Sequence, residues 1–430
     1  MRFPDESQLD GVLASPPPPA FAAVRYEPET PELDDPAGAA RAELDALPVD
    51  SLPTGGTVAV GVGSRGIHDI VPVARAVVDE LRERGFEPIV VPAMGSHGGA
   101  TAEGQRRTLA GIDLTEETLD CEIDASMETT VVGESAIGAP VPFSTAALAA
   151  DGVLVINRVK AHTNFTGRFE SGLTKMATVG LGKQPGAKAT HERALTEGYV
   201  PVLAAAYEVV REQTSLLGGI AIVENFHDRT ALVEGVAAAE LPEAEEPLKQ
   251  TADECMPTLP YDDLDVLVVD EIGKDISGAG MDTNVIGRYQ VLNTDDPETP
   301  EIKRIVVRGL TEATHGNGNG IGLADVTTQQ TVDSLDLDQV YTNALTSASL
   351  SKARLPVVLP DDESALDAAL STIGSYDPET VRVAWIQNTG HLSSFRVSAA
   401  LAREPPAGVE VQEWLDLAFD DGQPVFEARD

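Results

Sequence analysis

The sequence predicts an α/β protein made of two α/β domains, with mostly parallel sheets and an active site in the cleft between them. The first observation is length, because 430 residues exceed what one hydrophobic core commonly organises. The second is the alternation of short β-branched or apolar runs with amphipathic helical segments, which is typical of parallel sheets. The third is a loop rich in glycine, lysine and histidine after a predicted strand, where open α/β sheets carry reactive groups.

The first domain is predicted over residues 1–262. It opens with an acidic, proline-rich arm over residues 1–50, which includes a short helix near 39–46. Apolar patterns then predict strands at 57–60, 88–92, 129–132, 152–156 and 219–223. Helices are predicted at 70–84, from Thr101 onward, at 190–197 and at 200–212. Residues 237–262 are acidic and rich in Ala, Glu and Pro, which indicates a linker or a surface helix.

The second domain is predicted over residues 263–430, where a further alternation begins. Its strands are expected at 265–269, 303–307, 356–359 and 381–385. Its helices are expected between them, at 327–335, 337–345 and 363–373. This pattern predicts a second, smaller α/β domain.

Charge limits the classes of partner. The chain has 70 acidic and 30 basic residues, and the net charge of −40 is spread along its length. Dispersed charge of one sign is typical of a solvated, halophile-type surface rather than of a site. It argues against nucleic acid and anionic membranes as partners, because phosphate binding needs clustered Lys and Arg. Since neither a secretory signal nor an apolar run near the ~20 residues of a membrane span is visible, we expect a soluble cytoplasmic protein.

A glycine pattern, Gly61-x-Gly63-x-x-Gly66, lies between a predicted strand and a predicted helix. It matches the dinucleotide-binding fingerprint, in which glycine lets the backbone approach a pyrophosphate. Such a site also needs an acidic residue after the second strand, where this sequence has Pro92-Ala93-Met94. The glycines are equally compatible with a tight turn. Within that turn, the Arg65 guanidinium can grip a carboxylate or a phosphate.

Two further loops concentrate reactive side chains at predicted strand ends. In Gly95-Ser96-His97-Gly98-Gly99 a histidine stands among small residues, where it is either accessible to a ligand or a structural loop histidine. Residues 157–191 hold four of the eight lysines and two of the seven histidines, namely Lys160, Lys175, Lys183, Lys188, His162 and His191. Amines and imidazoles supply nucleophiles, bases and metal ligands near neutral pH. The alternative is an anion-binding loop whose lysines only balance phosphate charge.

Together these residues resemble the nickel-dependent lactate racemase family, whose members isomerise 2-hydroxyacids. The family's G-x-H loop and the T-x-E segment after it correspond to residues 95–97 and 101–103. Its second catalytic histidine is matched by His162, and its cofactor lysine, in a G-G-x-K-x-x-x-P-G pattern, by Lys175. Its nickel-ligating histidine follows that lysine by sixteen residues, which is the spacing from Lys175 to His191. Arg65 matches the arginine of the family's first-strand loop.

The resemblance implies a cofactor, a nickel-pincer pyridinium mononucleotide covalently bound to Lys175. It implies that His191 is the protein's ligand to nickel and that Lys183 is a further cofactor contact. Enzymes that synthesise this cofactor are implied as partners. A neutral imidazole suits such a metal, and a lysine must lose its proton before it forms the covalent bond.

The resemblance also implies the substrate class and the reaction. His97 and His162 would act as bases on the two faces of a small 2-hydroxyacid while hydride moves between Cα and the cofactor. Arg65 would hold the substrate carboxylate, and Arg288 in the second domain would assist it.

The sequence departs from the family pattern near the expected substrate. His162 precedes Lys175 by thirteen residues, a longer interval than the family's. In the second domain Ile286 and Gly287 stand where the family has Tyr and Gln. We therefore expect a relative whose substrate is not lactate. Two other functions stay open: an NAD(P)-linked dehydrogenase that uses the turn at 61–66, and a non-catalytic binder of phosphorylated or carboxylated metabolites.

Overall fold

The computed structural model describes residues 3–9, 11–64, 66–292 and 294–429. The chain divides into two compact units, the middle unit Thr30–Met256 and the terminal unit, which joins Met1–Glu29 to Pro257–Asp430. The predicted domains, 1–262 and 263–430, differ from this division chiefly in where they place the first 29 residues. The physical reason is strand pairing, which ties the start of the chain to its end.

The start of the chain forms helix α1 (Glu6–Leu9) and strand β1 (Phe21–Tyr26). β1 pairs antiparallel with two strands from the end of the chain, so that Phe21 lies opposite Ser398 on one side and Leu415 on the other. Phe21 is completely buried. The prediction of a proline-rich arm over residues 1–50 did not include β1. The strands that pair with β1 lie at the opposite end of the sequence, so no local pattern indicates it.

Helices and strands alternate through the middle unit. Its first half contains α2 (Pro36–Glu43), β2 (Thr57–Val62), α3 (Ile70–Glu83), β3 (Glu87–Pro92), α4 (Ala102–Ala110), α5 (Glu116–Leu119), β4 (Thr129–Glu134), β5 (Pro140–Ser144) and α6 (Thr145–Leu148). Its second half contains β6 (Gly152–Arg158), α7 (Leu173–Lys175), a π-helical turn (Met176–Gly180), α8 (Lys183–Glu197), α9 (Tyr199–Gln213), β7 (Leu216–Glu224), β8 (Thr230–Ala237) and α10 (Glu245–Cys255).

The main sheet of the middle unit has the order β3-β2-β6-β7-β8. The first four strands are parallel, and β8 is antiparallel at the edge. Along β2, Val58 and Val60 face one core while Ala59 faces another, because successive strand residues point to opposite faces. The predicted strand at 129–132 instead forms a separate hairpin of β4 and β5. The parallel order brings the carboxyl ends of β2, β3 and β6 to one edge.

Helix α10 lies inside residues 237–262, which were predicted as a linker or a surface helix. The helix is packed rather than solvated, because one face is buried along its whole length, through Glu245, Leu248, Lys249, Ala252 and Cys255. Spacings of three and four residues put these side chains on one helix face. The acidic composition of the segment concealed that face.

The terminal unit contains β9 (Asp263–Val269), β10 (Glu301–Val307), β11 (Val326–Thr328), α11 (Gln329–Asp333), α12 (Leu337–Thr346), β12 (Val357–Leu359), α13 (Asp362–Ser371), β13 (Val383–Ile386), β14 (Ser394–Ser398), α14 (Ala399–Ala402), β15 (Val409–Asp420) and β16 (Gln423–Ala428). Its sheet order is β12-β11-β10-β9-β13-β14-β1-β15-β16. The strands from β12 to β13 are parallel, as predicted, although β11 occupies the start of the helix predicted over 327–335. The strands beyond them pair antiparallel. This antiparallel half was not foreseen.

Two α/β units with mostly parallel strands are present, so the predicted fold class is confirmed. The expected cleft between two domains stays a prediction. Across the part of the chain that the structure describes, no helix combines the length and the apolar character that crossing a bilayer demands.

Candidate active site

Three loops meet at the carboxyl edge of the middle unit's sheet. The backbone N–H of Gly95, in the loop after β3, donates to the carbonyl of Gly180 in the π-helical turn at 3.1 Å. Gly63, in the turn after β2, leaves room for Met176, since a Cβ on Gly63 would lie 2.8 Å from the Met176 Cε atom. The loops after β2 and β3 are thus both packed against the segment that follows β6. Arg65, the predicted carboxylate contact, lies outside the described residues.

Packing explains Gly61 and Gly63, the first two glycines of the pattern. Gly63 faces Met176, and a Cβ on Gly61 would lie 3.0 Å from a methyl group of Val155. Helix α3 begins only at Ile70, whereas a dinucleotide fingerprint needs a helix whose N-terminus opens directly from the glycine turn. These contacts account for both glycines without a bound dinucleotide.

Lys175 stands where the helical geometry changes. It is the last residue of α7, and the five residues after it form the π-helical turn Met176–Gly180. Such turns are rare, and they occur frequently at functional sites. The turn fits closely against the residue that follows β3, because a Cβ on Gly180 would lie 2.5 Å from the Ala93 carbonyl oxygen. Lys175 itself is half-buried.

The two histidines of residues 157–191 share one aromatic neighbour, Tyr199. The hydroxyl of Tyr199 lies 3.0 Å from Nδ1 of His191. The His162 ring lies 6.0 Å from the Tyr199 ring, and both flank Phe165, at 4.6 Å in each case between ring centroids. The fold therefore gathers two side chains that are 29 residues apart in sequence around one tyrosine.

Lys175 is an electrostatic neighbour of His191. Desolvation by the atoms packed around the ring lowers the pKa of the His191 imidazole, and the Lys175 ammonium lowers it further. His191 nonetheless keeps a solvent-exposed surface, so a ligand can reach its ring. His162, Lys175 and His191 thus belong to one cluster.

The backbone around His162 is held by a buried carboxylate, Glu170. Glu170 accepts hydrogen bonds from the backbone N–H groups of His162 and Gly167, the latter at 2.9 Å. Its Oε1 lies 3.2 Å from Nζ of Lys249 on α10. Burial raises the pKa of the Glu170 carboxyl. Burial alone would lower the pKa of Lys249, but its contacts with Asp253 and Glu170 hold that pKa above its ordinary value. The ionised carboxylate is the form that satisfies all these contacts.

The Asn164 N–H donates to Nδ1 of His162 at 3.1 Å. This bond places the proton of the neutral ring on Nε2. His162 is consequently a hydrogen-bond donor at Nε2 in this arrangement. To accept a proton on Nδ1, it must give up the bond from Asn164.

A second buried carboxylate, Glu245, holds the start of α7. It accepts the backbone N–H groups of Leu173 and Thr174, the latter at 3.0 Å. The Glu245 side chain is almost fully buried, and burial raises its pKa to about 7, against the opposing effect of these donors. The sequence analysis did not identify Glu245, Glu170, Lys249 or Tyr199 as site residues. The only sequence pattern pointing to any of them was the helical spacing of the α10 residues that proved buried, which includes Glu245 and Lys249.

His97 lies on the exposed surface of the loop after β3. Its Nδ1 is 2.5 Å from the Ser64 hydroxyl. When Nδ1 donates its proton to Ser64, Nε2 becomes the basic atom of the neutral ring. The loop is held from beneath by Gln105, whose Nε2 donates to the carbonyls of Gly95 at 3.0 Å and His97 at 3.4 Å.

Lys183 was predicted to contact the cofactor, and its burial leads to a correction. The residue is 0% exposed, and its Nζ donates to the Pro92 carbonyl at 2.7 Å and to Oε1 of Gln105 at 3.2 Å. Burial lowers the pKa of Lys183 to about 8. The amine therefore supports the loop that carries His97, and it does not face a ligand from the surface.

Arg288, predicted to bind substrate, is engaged in packing of the terminal unit. Its guanidinium donates to Asp325 at 2.8 Å and to the carbonyls of Leu323 and Ile302 at 3.0 and 2.7 Å. Nearby, Gly287 has a left-handed φ of 65°. A Cβ on Gly287 would lie 2.0 Å from the Pro300 carbonyl oxygen. These contacts explain the arginine and the glycine structurally and do not support a substrate contact.

The donor set bears on which metal centre this edge can hold. Among the described residues, no group of three or more His, Cys, Asp or Glu side chains is arranged to hold a metal ion. A cofactor that brings most of its own ligands needs from the protein one imidazole and one amine for attachment. His191 and Lys175 are such a pair, and they are close enough to interact electrostatically.

Comparisons with known proteins bear on the fold. No protein-family model matches the sequence, and no curated protein matches it. Among solved structures, the chain is similar to the lactate racemase apoprotein from Thermoanaerobacterium thermosaccharolyticum, with a TM-score of 0.53 and 11% identity over 87% of this chain and 99% of that chain. At this identity the likeness shows a shared α/β fold.

Proposed function

We propose that the protein is an isomerase, a racemase or epimerase that inverts Cα of a small 2-hydroxyacid. The observation that carries the proposal is the cluster in which His162 and His191 share Tyr199 and Lys175 interacts with His191. The fold shared with a lactate racemase apoprotein supports the same reaction class. The altered residues Ile286 and Gly287 favour a substrate other than lactate.

The proposed cofactor is a nickel-pincer pyridinium mononucleotide, attached through Lys175 and coordinated by His191. When bound, it supplies a reversible hydride acceptor beside the substrate. Attachment requires the Lys175 amine to lose its proton before the covalent bond forms. Enzymes that synthesise the cofactor are the proposed partners.

The chain's own residues handle the hydroxyl proton. His97, with Nδ1 donating to Ser64, removes it at Nε2. Neutral His162 hydrogen-bonds the substrate oxygen through its Nε2–H. To return a proton to that oxygen it must first gain one on Nδ1, which requires the Asn164 N–H to leave that atom, and the imidazolium then gives up its Nε2 proton. Inversion requires such groups on both faces of the planar ketoacid. Lys183 and Gln105 hold the His97 loop, and Glu170 holds the His162 backbone.

Two competing functions are less well supported. A dehydrogenase would need the glycine turn as a dinucleotide site, yet Gly61 and Gly63 are accounted for by contacts with Val155 and Met176. A non-catalytic binder would have no use for a lysine and an exposed histidine that interact. The proposed isomerase uses both the lysine and the histidine.

The decisive experiment is intact-mass and nickel measurement on protein produced together with cofactor-synthesis enzymes. We expect one covalent adduct and one nickel per chain, both lost in Lys175→Arg and kept in the control Lys188→Arg. Lys188 is suitable because its side chain is 74% exposed. An unmodified, nickel-free wild-type chain would contradict the proposal.

The reaction is then followed on a panel of 2-hydroxyacids by chiral chromatography in D2O. Inversion through hydride transfer keeps the original hydrogen on Cα, so the product should carry no deuterium there. Deuterium at Cα would indicate proton abstraction from carbon instead.

A further inference from the structure

Helix α10 holds the segments that carry His162 and Lys175. Two of its side chains, Glu245 and Lys249, are four residues apart and therefore lie on one helix face. They are 2% and 7% exposed. Neither belongs to the proposed reaction, and a buried carboxylate and a buried ammonium are costly unless they are paired.

Glu245 fixes the position of Lys175. Its carboxylate accepts the N–H groups of Leu173 and Thr174, which open α7, the short helix that ends at Lys175. Gly172, just before this helix, leaves the carboxylate its space, because a Cβ there would lie 2.0 Å from Oε1 of Glu245. The φ of Gly172 is 174°, an extended value open to any residue, so the glycine serves this close approach.

Lys249 fixes the position of His162 through Glu170. Its Nζ lies 3.2 Å from Glu170 and 2.5 Å from Asp253. The Glu170 side chain is 1% exposed. It accepts the backbone N–H of His162 and so holds that residue in place. A charge-assisted chain therefore runs from α10 to the histidine.

We infer that Glu245 and Lys249 are positioning residues, and that α10 sets the separation between His162 and Lys175. Four residues of α-helix rise by about 6 Å. Glu245 and Lys249, which hold the two segments, are therefore fixed about that far apart along the helix axis. The inference rests on the proposed function for its catalytic meaning. Its structural content is independent of that function.

Hydrogen–deuterium exchange on the full chain tests the structural part. The variants are Glu245→Gln, which keeps the shape of the side chain, and Lys249→Met, with Lys249→Arg as the conservative rescue. The control is Glu246→Gln, an exposed neighbour on the same helix. We expect faster exchange in peptides covering 160–180 for the first two variants only. Unchanged exchange there, or an equal increase throughout the chain, would overturn the inference.

Kinetics of the cofactor-loaded enzyme tests the catalytic part. Displacement of reacting groups by about 1 Å can cost roughly a hundredfold in rate, so kcat should fall tenfold or more with little change in KM. Lys249→Arg should recover most of the rate. Equal kcat in all variants overturns the inference. If the wild type carries no adduct and isomerises nothing, the proposed function fails, while the exchange data still decide whether α10 holds residues 160–180.

Discussion

The hydroxyl of Tyr199 lies 3.0 Å from Nδ1 of His191, which leaves Nε2 as the atom of His191 that can bind a metal. A hydrogen bond to the second ring nitrogen fixes the tautomer and the orientation of a histidine ligand. The same tyrosine stacks on Phe165, so its ring is fixed before any ligand arrives. The pair therefore leaves one defined imidazole nitrogen, Nε2, to serve as the metal ligand.

Tyr199→Phe should weaken nickel retention without removing the covalent adduct. The substitution keeps the stacked ring and loses only the hydroxyl, and loss of such an outer contact typically costs about 10–100-fold in metal affinity. Nickel per chain during dialysis against a chelator measures the effect. Tyr341→Phe, on the exposed face of α12, is the control. Equal nickel loss from both variants would contradict a role for the Tyr199 hydroxyl.

His97→Ala and His162→Ala should each abolish isomerisation, by about a hundredfold or more, as expected for loss of an acid or base. Both variants should retain the Lys175 adduct, because neither residue is proposed to hold the cofactor. His227→Ala, at an exposed position, serves as the comparison. If either active-site variant isomerises at a near wild-type rate, the two-histidine scheme is wrong.

Lys183 should give the protein a pH-dependent stability above neutrality. Burial lowers its pKa from the ordinary value of 10.5 to about 8. Between these values the unfolded chain binds more protons than the folded chain, so the free energy of unfolding rises with pH. The difference corresponds to roughly 3 kcal/mol. Urea unfolding at pH 7.5 and 10 should therefore show a larger rise in the free energy of unfolding for wild type than for Lys183→Met, and parallel pH profiles would contradict the lowered pKa of Lys183.

Much of the fold was predictable, because apolar runs such as residues 152–156 form strands buried on both faces. The pairing of Lys175 with His191 was expected only from the resemblance to the racemase family, whose motif has the same sixteen-residue interval, and their roles stay a prediction. The contacts that hold the site were not, since Glu170, Lys249 and Glu245 act across long sequence separations. Lys183 shows the limit clearly: a lysine in a glycine-rich loop looks like a phosphate contact until burial shows which way it points.

The acidic surface should make stability depend on salt. With a net charge of −40, like charges repel across the folded surface, and 1 M salt shortens the Debye length to about 3 Å. We therefore expect the melting temperature to rise as KCl is raised from 0.1 to 2 M. Sucrose at matched water activity controls for exclusion effects. A melting temperature independent of KCl would contradict the halophile-type surface.

Gly172→Ala should disturb the site through Glu245. A Cβ at residue 172 would lie 2.0 Å from Oε1 of Glu245, and that carboxylate is held by two backbone donors and cannot swing away freely. Overpacking of this kind costs about 1–3 kcal/mol. Gly278→Ala is the matched control, because nothing lies within 4 Å of its added Cβ.

The cause can be separated from a general effect of alanine by a double-mutant cycle. In a Glu245→Ala background the clash is gone, so Gly172→Ala should cost much less in denaturant unfolding than it does in wild type. The Gly278→Ala cost should be the same in both backgrounds. If Gly172→Ala costs as much with Glu245 removed as with it present, the glycine does not serve the carboxylate, and the close approach that aligns α7 and Lys175 must have another origin.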